Sequence, residues 1–77
     1  MPQDIRFTLH AEKRMREYGI TRETVVQTVN HPDSEVEGRK DRTVAQKRLD
    51  GKILRAIYEE NEGIKTVVTT YRAEADR

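Results

Sequence analysis

Phe7, Ala11, Met15 and Tyr18 recur every three or four residues, the spacing that places side chains on one face of an α-helix. Thr8 stands ahead of that run, where its hydroxyl can accept an orphan backbone N–H, and Gly19 supplies the left-handed residue that ends many helices. A second helix is predicted over residues 22–30, with Thr21 as its cap and Val25, Val26 and Val29 on one side. Its end falls at Asn30-His31-Pro32, because the residue before a proline is pushed out of the α region. The short link between the two predicts a helical hairpin.

After Asp33 the pattern changes to runs of β-branched and aliphatic residues over 43–49, 52–59 and 64–71. Asp50-Gly51 joins the first two runs as a two-residue hairpin, whose turn positions both need positive φ, and Glu60-Asn61-Glu62-Gly63 joins the second to the third. A shorter strand is expected through Glu35-Val36-Glu37, ahead of a Gly38-Arg39-Lys40-Asp41 turn. These elements predict an α+β fold: two N-terminal helices packed on one face of a three- to four-stranded antiparallel sheet. Register across the first turn sets Arg48 opposite Ile53, Gln46 opposite Arg55 and Val44 opposite Ile57; across the second it sets Ile57 opposite Thr66, Arg55 opposite Val68 and Ile53 opposite Thr70. Ala45, Lys47, Leu49, Leu54, Ala56, Tyr58, Val67, Thr69 and Tyr71 then share the more apolar face, which predicts that the helices cover it. Arg48, Gln46, Arg55 and Thr70 fall on the other.

A chain of 77 residues makes one domain, 1–77 with a core over about 7–72, and no internal repeat array. Its 15 basic and 14 acidic residues nearly cancel, so the 38% charged content does not mark a disordered polyelectrolyte. The absence of cysteine excludes disulfides, Cys-based zinc sites and thiol nucleophiles. No apolar stretch reaches the length of a membrane span or a secretory leader, which predicts a soluble cytoplasmic protein without membrane contact. Charge is nonetheless uneven: Arg39, Lys40, Arg42, Lys47, Arg48, Lys52 and Arg55 face only Asp41 and Asp50 over the same stretch. Such a run fits a phosphate-bearing partner and, at even odds, a solvated strand face.

Phosphate loops, paired-histidine metal motifs, calcium loops and nucleophile elbows are all missing, and His10 and His31 lie on different segments, so neither metal nor cofactor is expected. The remaining inventory of one helix histidine, several cations, threonine hydroxyls and tyrosine suits metal-free RNA cleavage. That chemistry needs a base for the 2′-OH, an acid for the leaving oxygen and cations for the phosphate. His10 and Arg14 border the apolar stripe of the first helix, where His10 can act as acid or base and Arg14 can hold phosphate. The plainer alternatives are a packing or capping histidine and an arginine paired with Glu17 or Glu12. Thr70 and Tyr71 end the last strand near Arg55, either as packing residues or as phosphate ligands. Lys47 and Arg48 alternate faces, so at most one belongs to the same pocket.

The stretch "FTLHAEKRMREYGIT", a Val-rich helix ending "NHPD", and then "AQKRLDGKILRAIYEE" and "GIKTVVTTYR" together resemble the family catalogued as domain of unknown function 4258, over about Phe7 to Arg72. That family looks like a relative of RelE/ParE-type toxins and of barnase- and colicin-like RNase domains. The resemblance implies a metal-independent, toxin-type RNase, acting on ribosome- or tRNA-associated RNA and held by an antitoxin protein. It points to His10, Arg14, Arg55, Thr70 and Tyr71 as catalytic, with Lys47 as a weaker addition; from the basic run itself, Arg48 and Lys52 join Lys47 as expected substrate-binding residues. Two non-catalytic readings stand beside it: a nucleic-acid-binding module and a protein-interaction domain using an exposed sheet edge.

Overall fold

A computed structural model describes residues 4–38 and 40–74; Arg39 of the basic run lies outside the described residues. The elements run β1 (Asp4–Phe7), α1 (Leu9–Tyr18), α2 (Arg22–Asn30), β2 (Ser34–Glu37), β3 (Arg42–Leu49), β4 (Lys52–Asn61) and β5 (Ile64–Glu74). The fold is α+β, as the patterning predicts, but the sheet has five strands in the order β1-β5-β4-β3-β2. It is mixed rather than antiparallel, because β1 runs parallel to β5 and places Phe7 beside Val67. Phe7 therefore belongs to a strand and not to the helical stripe, and its four-residue strand is too short for alternation to announce it.

Both helices start and stop where cap chemistry places them. Thr8 and Thr21 sit in extended backbone and accept N–H bonds from Ala11 and Thr24, respectively. Gly19 ends α1 at φ 66°, and the Ile20 N–H returns to the Met15 carbonyl at 2.8 Å. Ala11, Met15, Ile20, Val25 and Val29 from the helical layer share one buried cluster with Ala45, Leu54, Ala56, Tyr58 and Val67 from the sheet. The helices thus cover the face carrying Ala45, Leu54 and Ala56, as expected.

The first hairpin keeps the expected register, with Gln46 opposite Arg55 and Val44 opposite Ile57. The second does not. Strands β4 and β5 continue to Asn61 and Ile64, so the turn is two residues long, and a β-bulge then inserts Val68 between the Tyr58–Val67 and Ile57–Thr69 pairs. Thr70 consequently pairs with Ala56 and Tyr71 with Arg55. This reverses the faces expected for Thr69, Thr70 and Tyr71: an odd total shift exchanges the two sides of a strand. Thr70 is fully buried beneath the helices, and its hydroxyl donates to the Arg55 carbonyl at 2.7 Å.

The bulge is tied to the start of α1. The Thr8 N–H donates to the Val67 carbonyl at 3.0 Å, continuing the β1–β5 ladder. Its hydroxyl donates to the Val68 carbonyl at 2.9 Å while accepting from the Ala11 N–H at 3.0 Å. At the other side of the sheet, Tyr58 binds the edge strand: its buried hydroxyl donates to Glu35 Oε2 at 2.9 Å, and Lys65 Nζ stands 5.1 Å from its ring centroid. Burial first, and then the Glu35 carboxylate, push the Tyr58 hydroxyl from 10.0 up to about 12.

Two stability experiments follow from these contacts. Thr8→Ala removes both the cap and the bulge contact and is expected to cost about 1–2 kcal/mol in chemical denaturation, with Thr8→Ser restoring most of it. Tyr58 ionises in the unfolded chain near pH 10.0 but in the folded chain only near 12, so its contribution is fully present below 10 and is lost as pH rises through that interval. Denaturation midpoints between those pH values are expected to fall for the wild type and to stay flatter for Tyr58→Phe.

Candidate functional site

Among the described residues, no layer covers the sheet face opposite the helices. Strand alternation brings Arg42, Val44, Gln46 and Arg48 of β3 to that face, beside Ile53, Arg55, Ile57 and Glu59 of β4 and Thr69, Tyr71 and Ala73 of β5. Val44, Ile53, Ile57, Arg55 and Tyr71 are all half-buried there, so an apolar floor is overlaid by polar groups. With Arg6 and Asp4 from β1, which pair with Thr66 and Ile64, the face sets Arg6, Arg42, Arg48 and Arg55 against Asp4 and Glu59. The balance is positive.

Arg55 occupies the centre. Its cross-strand neighbours are Gln46 on one side and Tyr71 on the other. Its Nε donates to Gln46 Oε1 at 2.8 Å, and its guanidinium carbon stands 5.8 Å from the Tyr71 ring centroid. The Gln46 bond and the ring fix a planar cation on the sheet surface, a fork suited to phosphate oxygens. Arg42 is held differently, with its Nε 2.8 Å from Glu59 Oε2. Arg48 is exposed, and its backbone N–H donates to Asp33 Oδ2 at 2.8 Å.

Two hollows flank this centre. One of about 160 Å³ is lined by Asp33, Ser34, Gln46, Lys47, Arg48 and Ile53. A wider one of about 360 Å³ is lined by Gly38, Lys40, Arg42, Val44 and Ile57. A third, of about 240 Å³, lies on the helix side between the Gly19–Thr21 turn and the β3–β4 hairpin, and includes Lys52, Leu54 and Arg72 in its wall. Arg72 donates there to the Tyr18 carbonyl at the end of α1.

The residues singled out in the sequence divide between the two sides of the sheet. His10 is exposed on the first turn of α1, and Arg14 is half-buried with its guanidinium 3.0 Å from Glu17 Oε1, the ion-pair alternative. Both belong to the helical layer, whereas Arg55 and Tyr71 occupy the opposite face. Thr70 faces the helices as well. Lys47 turns to the helix side, where its Nζ donates to the His31 carbonyl at 2.9 Å and closes the end of α2. Lys52 lines the helix-side hollow. The fold therefore brings Arg55, Tyr71 and Arg48 onto one surface and leaves His10, Arg14, Thr70 and Lys52 off it, while Lys47 contributes to the wall of the smaller hollow there but sends its ammonium to His31. Gln46, Lys40 and Arg42 were not singled out as site residues, although Arg42, Gln46 and Arg48 alternate along one strand and so announce a shared face.

Among the described residues, no group of three or more His, Asp or Glu side chains could hold a metal ion. Nor is any helix among them long and apolar enough to cross a membrane. No curated protein and no solved structure matches the chain. One family model does, described as Domain of unknown function (DUF4258), and it spans residues 7–72, from the end of β1 through both helices to Arg72 on β5. The chain belongs to the DUF4258 family.

Proposed function

We propose that the open face of the sheet binds single-stranded RNA. The observation that carries this reading is Arg55, held between Gln46 and the Tyr71 ring at the centre of a half-buried apolar face with a positive balance. Single strands are held by cations that track the phosphates and by surfaces on which unstacked bases lie. Tyr71 offers the ring, Val44, Ile53 and Ile57 offer apolar surface, and Arg42, Arg48 and Arg55 offer the charge.

Kinship with RelE/ParE-type toxins and barnase-like nucleases forms part of the proposal, and two helices packed on one side of a sheet whose other side is open supports it. A cytoplasmic setting and an antitoxin-like protein partner belong to the same reading. Binding is favoured over His10-centred cleavage because His10 and Arg14 belong to the helical layer, across the sheet from Arg55. An RNA strand on the open face is served by arginines and a tyrosine without a histidine.

Fluorescence anisotropy with a labelled single-stranded RNA tests binding. Three neutralised phosphates give a slope of roughly −2 for log K against log salt, and Arg55→Ala is expected to reduce that slope by about 0.7. Tyr71→Ala is expected to weaken binding by about 1–3 kcal/mol. Affinity that ignores salt, or that Arg55→Ala leaves unchanged, sinks the assignment of this face. For cleavage, RNA incubated with the protein in excess chelator is expected to stay intact on a denaturing gel. Strand scission that vanishes in His10→Ala would replace binding by acid–base cleavage.

A further inference from the structure

The wider hollow on the open face has a construction that the central Arg55 site does not explain. Its floor is apolar: Val44 and Ile57 are directly opposed across β3 and β4, and both are half-buried. Its rim is cationic, with Lys40 and Arg42. Arg42 is engaged by Glu59, whereas Lys40 makes no hydrogen bond or ion pair among the described residues.

Backbone conformation sharpens the contrast. Lys40 and Asp41 stand at φ 57° and 62°, both in the left-handed region, within the β2–β3 link that the Gly38 N–H closes on the Arg42 carbonyl at 2.6 Å. Glycine or asparagine fills such positions at little cost, and a lysine there is strained. The strained backbone puts a lysine in the wall of the hollow, a cation that glycine would not supply. Gly38 contributes in the opposite way. A Cβ at that position would lie 3.2 Å from the Arg42 carbonyl oxygen and 3.7 Å from Val44 Cγ2, so the missing side chain keeps this wall open.

We propose that this hollow is a nucleotide subsite, in which Val44 and Ile57 receive the ribose or base and Lys40, with Arg42, receives the phosphate. The inference rests on the RNA-binding reading and adds to it where a whole nucleotide unit is gripped. The spacing suits a continuing strand. Ile57 and Arg55 are neighbours on the same face of β4, about 7 Å apart along the strand, so the unit beyond the hollow meets Arg55.

Two measurements test the subsite. In the first, the methyl signals of Val44 and Ile57 are followed by NMR during titration with uridine 5′-monophosphate and, separately, with inorganic phosphate. The nucleotide is expected to shift both methyls, and inorganic phosphate to leave them in place. In the second, RNA affinity is measured for Lys40→Gly, Gly38→Ala and Arg55→Ala. Lys40→Gly relieves the turn, so it is expected to raise the denaturation midpoint while weakening RNA binding about tenfold, opposite signs that unfolding cannot produce. Gly38→Ala is expected to weaken binding by narrowing the hollow. If RNA binds and Arg55→Ala weakens it, while Lys40→Gly stays within twofold of wild type and the methyls do not move, the subsite is overturned and the RNA-binding face stands. If no RNA binds at all, both fall together.

Discussion

The Thr8 hydroxyl is the contact on which the arrangement of the rest depends. Its residue finishes the parallel β1–β5 ladder, its oxygen caps α1, and its proton holds the Val68 carbonyl at the bulge in β5. A side chain of this size can serve three elements only if they meet at one point, so the start of the helix and the irregularity of the strand fix one another. The bulge then decides what the far half of β5 presents. Ahead of it Val67 faces the helices; after it Thr70 does, and Tyr71 is delivered to the open face beside Arg55. Without the extra residue, strand alternation would bury Tyr71 and bring Thr70 to the open side. The central pair of the candidate site is in this sense set at the N-cap of a helix on the other side of the sheet.

That dependence explains which parts of the fold were legible in the amino-acid sequence. Caps and turns are local chemistry, so Thr8, Gly19, Thr21 and the Asp50-Gly51 hairpin could be read directly, and with them both helices and the pairing of Gln46 with Arg55. The bulge at Val68 has no local signature. Its stabilising partner is Thr8, sixty residues away in the chain. Strand β1 was missed for a related reason: its partner β5 lies at the opposite end of the sequence, and Phe7 fits helical spacing as well as it fits a strand. A non-local contact leaves little trace in periodicity.

The candidate site divides along the same line. Arg55, Arg48 and Gln46 could be placed on one face because they belong to the hairpin whose register is local. Thr70 and Tyr71 were exchanged because they lie beyond the bulge. His10 and Arg14 were read correctly as residues at the margin of a helix, but a margin has two outlooks. Here Arg14 turns to Glu17 and His10 to solvent, within the layer that the sheet separates from Arg55. Lys47 shows how a cation in a basic run can be spent on structure, since its ammonium closes the end of α2.

The helices cover one face of the five-stranded sheet, and among the described residues nothing covers the other. That face would normally become polar, as antiparallel sheets exposed to water on one side do. Instead Val44, Ile53 and Ile57 remain on it, half-shielded rather than replaced. Arginine is suited to this compromise, because its aliphatic stem lies over apolar surface while its guanidinium stays wet. Arg55 therefore shields the floor while keeping its charge at the surface, where the proposed ligand would meet it. An apolar floor rimmed by cations is a poor end state for a protein that binds nothing, since Val, Ile and Arg could be exchanged for threonine and glutamate with little loss to the core on the other side. It is a good one for a protein whose partner carries both flat apolar groups and regularly spaced negative charge, because each property of the face then meets a complementary property of the ligand.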